Sequence, residues 1–222
     1  MMQNQNEWCE LHKDKRHQPK YPNDHVVRFV FKNLDKMGGV ILDLGCGAGR
    51  HTKLLAENGF IAYGCDYSQS GVEVAKLLIK QSNLTANLRV ASASDLPYEN
   101  EKFDGIICWG VLEYIDLNSI EKASEEIYRV LKVGGKVLIN VRNVEDYRYK
   151  NGEKISQFNV IVRENSKNNS AFKENGMPMY FFDKNEIKRV FSKFNKIKID
   201  SLSWSCEDGE FVNSDYIVIL EK

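Results

Sequence analysis

Between Val40 and Val141 short apolar runs alternate with longer amphipathic ones, and this rhythm constrains the fold more than any other feature of the chain. The apolar runs are Val40 to Leu44, Ile61 to Asp66, Leu88 to Ala91, Phe103 to Trp109 and Lys136 to Val141. They are brief and almost continuously hydrophobic, which suits parallel strands covered on both faces. The stretches His51 to Asn58, Gly71 to Gln81 and Ile120 to Leu131 have helical spacing. In the last of these, Ile120, Ala123, Ile127, Val130 and Leu131 mark one face, and Gly134-Gly135 ends it. Strand, helix and strand in this order predict an α/β fold with a doubly wound sheet.

Beyond Arg142 the pattern changes. Residues from about Asn143 to Met179 are rich in Asn, Lys, Glu and Ser around one apolar island, Phe158 to Val162. The stretch fits two arrangements equally well: an insertion over the sheet's C-terminal edge, where ligands bind in open α/β folds, or a surface loop with a small hairpin. Asp183 with Glu186 three residues on has capping-box spacing and predicts a helix through Phe191. Two late strands follow, near Lys196 to Trp204 and Asp215 to Leu220. The expected organisation is one domain over 1–222. It has a helical flap over 1–37, a binding core over 38–142, an insertion or lid over 143–182, and a helix with two strands over 183–222.

The segment Asp43-Leu44-Gly45-Cys46-Gly47-Ala48-Gly49-Arg50 directly follows the first strand. Glycines at 45, 47 and 49 remove side chains where the backbone turns sharply and must approach a ligand. The helix behind them presents unpaired N–H groups. Gly-x-Gly-x-Gly alone also fits a plain strand-to-helix turn; here a strand precedes it, a helix follows, and Asp66 ends the next strand. Two details separate the turn from a dinucleotide site. Arg50 stands where that fingerprint wants Gly or Ala, and Asp43 would repel a pyrophosphate while suiting a cationic ligand such as an ammonium group. Asp66 is placed to accept the hydroxyls of a ribose. These features disfavour a nicotinamide-dependent oxidoreductase.

At this point the chain resembles the class I S-adenosylmethionine-dependent methyltransferases. Val40 to Arg50 looks like their first motif and Tyr63-Gly-Cys-Asp66-Tyr-Ser their second. Ala93-Ser-Asp95-Leu-Pro97 is similar to the third, Phe103 to Glu113 to the fourth strand and its exit, and Arg129 to Ile139 to the helix, turn and strand that follow. Val133 stands where the family usually has Pro. The resemblance implies a Rossmann-like sheet, mostly parallel with an antiparallel last strand around Asp215 to Leu220. It implies S-adenosyl-L-methionine as cofactor, with Asp43, Gly45, Cys46 and Gly47 at its methionine portion, Asp66 at the ribose and Tyr67 packing on adenine. Asp95 and Leu96 would border the adenine, and Trp109 and Gly110 would lie near the sulfonium.

No universal catalytic residue is expected, because the sulfonium itself activates the methyl group; the protein aligns, dries and, where needed, takes a proton. Glu113, Tyr114, Arg142 and Tyr180 are candidates for that last task or for orienting the acceptor, and each fits a structural role equally well. Arg142, at a strand's C-terminal end, is placed to meet an anionic acceptor. In the N-terminal segment Tyr21 or Arg16 could reach the cofactor if the segment is a flap; a solvated basic leader is the alternative.

Lys+Arg and Asp+Glu both number 31, so the formal net charge is zero. No basic excess advertises a polyanion partner, which argues against nucleic acid. The five cysteines form no Cys-x-x-Cys pair, and His12, His17, His25 and His51 do not share metal-ligand spacing. No metal is expected. Met1 to Leu11 lacks an apolar signal-peptide core and no stretch approaches membrane-spanning length, so a reduced, cytoplasmic protein is expected. The expected substrate is a small anionic or hydroxylated metabolite methylated on oxygen or nitrogen. Transfer to protein or RNA, and a non-catalytic cofactor-binding subunit, stand as alternatives.

Overall fold

The computed structural model describes residues 8–14, 18–34, 38–166 and 170–222. Seven strands form one sheet in the order β3-β2-β1-β4-β5-β10-β9. These are β1 (Val40–Leu44), β2 (Ile61–Asp66), β3 (Asn87–Val90), β4 (Phe103–Cys108), β5 (Leu131–Arg142), β9 (Lys196–Cys206) and β10 (Phe211–Glu221). Strands β1 to β5 pair parallel, whereas β10 runs antiparallel to both β5 and β9. This is the mostly parallel sheet with an antiparallel final strand that the sequence led us to expect.

Side-chain alternation sorts the sheet's two faces. Leu42, Leu44, Ile106, Cys108, Val137 and Ile139 bury one face beneath helix α4 (Leu117–Val130) and α6 (Lys184–Val190). Ile41, Ile107 and Leu138, one residue out of phase, bury the other beneath α1 (Asp24–Asn33) and α2 (Arg50–Glu57). The helix α3 (Gln69–Gln81) buries Gly71, Val72, Ala75 and Ile79. Helix starts are chemically marked: Asp116 accepts from the Ser119 N–H of α4, and Asp183 accepts from the Glu186 N–H of α6 at 2.7 Å. The Glu186 side chain does not complete a capping box. It takes Tyr180 Oη and Arg189 instead.

Residues 143–182 form a unit of their own after β5. They hold the short helix α5 (Tyr147–Asn151) and a three-stranded antiparallel sheet of β6 (Glu153–Lys154), β7 (Asn159–Ile161) and β8 (Pro178–Tyr180). Tyr147, Val160, Val162, Ala171, Met179 and Phe181 give this unit its own small core. The apolar island is therefore an interior strand, and the unit stands beside the C-terminal ends of the parallel strands. Among the described residues no helix is long and apolar enough to cross a membrane.

Candidate active site

A crevice of about 550 Å³ opens where β1, β2, β4 and β5 end, within the usual range for ligand sites. Its floor is the turn after β1. Gly45, Gly47 and Gly49 have φ of +74°, +48° and +88°, conformations that disfavour any side chain. The turn is pinned to β2: Gly45 and Cys46 donate to the Cys65 carbonyl, and the Gly47 N–H donates to Asp66 Oδ2 at 2.8 Å. Asp66 Oδ1 accepts from the Ser68 N–H, also at 2.8 Å. Burial raises the Asp66 pKa, and the Ser68 and Gly47 N–H groups and His12 oppose the rise. A carboxylate offers about four lone-pair directions, so both oxygens retain capacity toward the crevice they line.

The N-terminal helical turn at residues 8–11 closes this end. His12 is buried, its Nδ1 lies 2.9 Å from Ser68 Oγ, and its ring stands over Gly47 and Gly71. Burial lowers its pKa against the pull of Asp66. Trp8 meets Tyr114 edge to face at 4.9 Å.

The far end of the crevice is built from other elements. After β4, Gly110 adopts φ +72° and donates its N–H to Asn140 Oδ1; the Leu112–Tyr114 turn then aims Glu113 inward. Glu113 is 2% exposed, and burial pushes its pKa up to about 8 although Arg142 pulls it down. The β5–β10 register sets Asp215 opposite Arg142, and Arg142 Nη1 lies 3.3 Å from Asp215 Oδ1 and 3.2 Å from Asp146 Oδ2. Burial works against the guanidinium's charge, yet Asp215 and Asp146 hold its pKa above the usual value. Tyr114 Oη donates to Glu174 at 2.8 Å and Tyr180 Oη donates to Glu186 at 2.7 Å.

Of the expected cofactor residues, Gly45, Cys46, Gly47, Asp66, Tyr67, Trp109 and Gly110 line the crevice, as do all four acceptor candidates, Glu113, Tyr114, Arg142 and Tyr180. Four expected residues stand elsewhere. Asp43 shares the Ile41 face of β1, so its side chain points at α2, where Oδ2 accepts from the Thr52 N–H and Oγ1. It caps that helix from across the sheet, and burial raises its pKa to about 6. Leu96 is packed into the core, Asp95 is exposed beyond the rim, and Ala91 to Ser94 form the wall in their place. Tyr21 is 73% exposed, and Trp8, His12, Pro19 and Asn23 are the leader residues that line the crevice. Arg16 and His17 lie outside the described residues.

Sequence reasoning also passed over Asn140 and Asp215. Asp215 left a mark, being an acid in a strand that otherwise turns apolar. Among the described residues no group of three or more His, Cys, Asp or Glu could hold a metal ion.

Residues 42–139, the turn and the strands that carry this crevice, match the family model described as a methyltransferase domain. That stretch is similar to a methyltransferase domain, and the fold around it is the one seen in S-adenosylmethionine-dependent methyltransferases. Two curated relatives are the ubiquinone biosynthesis O-methyltransferases of Coxiella burnetii and Bartonella quintana. The first is 29% identical over 125 residues, 55% of this chain and 53% of the relative; the second is 34% identical over 124 residues, 55% and 47%. The chain spans about half the length of the curated relatives it matches. Solved structures share the fold. A methyltransferase of Methanosarcina mazei has TM-score 0.68 at 19% identity, covering 86% of this chain and 96% of that one. A Thermotoga maritima protein described as a possible histamine N-methyltransferase has TM-score 0.59 at 18% identity, covering 98% and 93%.

The crevice fits the cofactor that such a domain would bind. A Cβ on Gly45 would collide with Val111 Cγ2 and one on Gly47 would stand 3.2 Å from His12 Nε2, so the turn stays open only as glycine. A buried carboxylate with spare acceptor capacity stands beside it.

Proposed function

We propose that this chain transfers a methyl group from S-adenosylmethionine to an oxygen of a small molecule. When bound, that cofactor supplies a methyl group already activated by a sulfonium. The single observation that carries the proposal is one crevice with two chemically different ends. The glycine turn and Asp66 stand at one, and Glu113, Arg142 and Tyr180 at the other. In this proposal Gly45, Cys46 and Gly47 receive the methionine portion and Asp66 the ribose hydroxyls. Tyr67 with Ala91 to Ser94 flank the adenine, and Trp109 and Gly110 stand at the reacting end.

The protein's work is alignment and dryness. Trp8 and His12 from the leader, with Met179 and Tyr180 from the second sheet, wall the crevice from both sides. The O-methyltransferase names of the relatives support an oxygen acceptor. The equal charge counts and the size of the crevice support a small molecule over nucleic acid.

The test has two parts. Calorimetry should find binding of S-adenosylhomocysteine and none of NAD. Product release across a metabolite panel, run beside tRNA and protein extracts, should find turnover on hydroxylated metabolites. Binding of NAD in preference, or turnover on RNA or protein alone, overturns the proposal.

A further inference from the structure

Four buried side-chain atoms among the described residues lack a hydrogen-bond partner: Tyr98 Oη, Glu113 Oε2, Arg142 Nε and Asp215 Oδ1. Tyr98 lies in the core, but the other three residues all line the far end of the crevice. Native proteins rarely strand buried polar groups, because each loses its water without gaining a partner. Glu113 Oε2 and Arg142 Nε at one pocket wall form the complement of a polar ligand, an oxygen that accepts and an N–H that donates, beside Asp215, whose Oδ1 is ion-paired with Arg142 Nη1 at 3.3 Å.

Charge decides what that ligand is. Among the described residues around this end, Glu113, Asp146, Glu174 and Asp215 face the cations Arg142 and Arg148. Arg142 Nη1 stands between Asp146 and Asp215, and Arg148 donates to Glu174 and to Asn213 Oδ1. Arg142 Nη1 is therefore taken, its Nε–H stays open, and the excess of carboxylates around it repels a carboxylate or phosphate on the acceptor. The sequence-based expectation of an anionic acceptor read by Arg142 gives way here, since that arginine is already neutralised.

We propose that Glu113, Arg142 and Asp215 are the acceptor-reading groups of the crevice. They select a hydroxylated molecule bearing no carboxylate or phosphate, and Glu113 takes the hydroxyl proton. This rests on the methyl-transfer proposal above. In the step, ionised Glu113 Oε2 accepts the proton as the hydroxyl oxygen bonds to the methyl carbon. The carbon–sulfur bond breaks with its electron pair kept by sulfur, leaving a neutral thioether, and the proton later passes from Glu113 to solvent. Arg142 Nε–H holds the oxygen, and Asp215 takes a second donor of the acceptor. The carboxyl is suited to this task because burial brings its pKa to about 8, near the working pH. The groups that act on it are Arg142, Asp215, Glu174, Tyr114 and Cys108.

The test uses the whole chain saturated with S-adenosylhomocysteine and titrated with two matched pairs, p-cresol against 4-hydroxybenzoate and 4-methylcatechol against 3,4-dihydroxybenzoate. The uncharged member of each pair should bind at least tenfold more tightly at pH 7. With S-adenosylmethionine, single-turnover methylation of the tighter phenol should rise with pH to a plateau above about pH 8. Glu113→Gln should lose that limb and at least a hundredfold in rate while binding S-adenosylhomocysteine within twofold of wild type; Glu113→Asp should restore the limb. A merely structural Glu113 would move thermal stability without removing the limb. Equal or tighter binding of the carboxylated members, no binding by either phenol, or an unchanged limb in Glu113→Gln overturns the inference. Failure of the wild-type chain to bind S-adenosylhomocysteine would instead break the methyl-transfer proposal.

Discussion

At the glycine-turn end of the crevice the polar groups hold one another: Asp66 accepts from Gly47 and Ser68, and Ser68 Oγ meets His12, Ser70 and Gly71. At the far end Glu113 Oε2 and Arg142 Nε have no hydrogen-bond partner, and Asp215 Oδ1 is held by an ion pair to Arg142 rather than by a hydrogen bond. The first end is thus a finished scaffold, whereas the second carries a standing cost that a ligand would relieve. Proteins retain such costs where function needs them.

The two ends should therefore fail differently when altered. The largest effect is expected at Gly49, which has φ +88° and whose added Cβ would lie 2.8 Å from Ala75 Cβ and 3.1 Å from its Cα. Gly49→Ala adds backbone strain of about 1–3 kcal/mol to overpacking of about 1–3 kcal/mol against α3. Denaturant titration should show a loss of roughly 2–6 kcal/mol, enough to unfold a marginal domain. A loss below about 1 kcal/mol would mean that the turn tolerates a side chain, and the contrast between the ends would collapse.

The same contrast explains what was legible in the sequence. The glycine-turn end comes from contiguous residues, Asp43 to Arg50 and Tyr63 to Ser68, whose spacing exposes its geometry. Asp43 was misplaced because a motif gives position along a strand, whereas the Ile41 face of β1 decides that its side chain meets α2. The far end draws on residues 113, 142, 174, 180 and 215, which only the antiparallel entry of β10 and the packing of the second sheet bring together. Trp8 and His12 were hidden for a related reason. A polar leader with scattered aromatics reads as solvated chain until its partners, Tyr114 and Ser68, are known.

Next in size is the pH dependence of stability at the unfinished end. The Glu113 pKa is raised from 4.5 to about 8 in the folded chain. Between those values the folded state keeps a proton that the unfolded state releases, so stability falls as pH rises through this window. Each unit is about 1.4 kcal/mol, so the shift gives a loss of roughly 5 kcal/mol, of which about 4 kcal/mol falls between pH 5 and pH 9. Glu113→Gln cannot ionise, so its unfolding free energy should decline less than wild type between pH 5 and pH 9 by about that amount. Parallel pH profiles for the two chains would show that Glu113 titrates normally and that the far end is not strained.

A smaller effect is expected for Asp66. Asp66→Ala removes a charge-assisted hydrogen-bond acceptor, which is worth about 1.5–3 kcal/mol. Calorimetry should show S-adenosylhomocysteine binding weakened by roughly 10- to 150-fold. The variant also frees the Gly47 and Ser68 N–H groups, so thermal stability should fall with it. Affinity unchanged within twofold would remove Asp66 from the cofactor's partners.

The smallest effect is expected at His12, the leader's hold on the finished end. Its ring packs over Gly47 and Gly71, but the bond it makes to Ser68 Oγ is not that hydroxyl's only one. The hydroxyl still accepts from the Gly71 N–H at 3.1 Å as the cap of α3, and Ser70 Oγ stands 3.1 Å away. Loss of one such neutral bond is worth about 1 kcal/mol, so His12→Ala should weaken S-adenosylhomocysteine binding by only about fivefold and leave α3 intact. Burial lowers the imidazole's pKa against the pull of Asp66. Hydrogen exchange supplies the sharper measure, because a leader that closes over bound cofactor should gain protection at residues 8–14 on adding S-adenosylhomocysteine. That gain should shrink in His12→Ala while the exchange of α3 stays unchanged. Equal exchange at residues 8–14 with and without the ligand would leave Trp8 and His12 as fixed wall and remove the leader from cofactor closure.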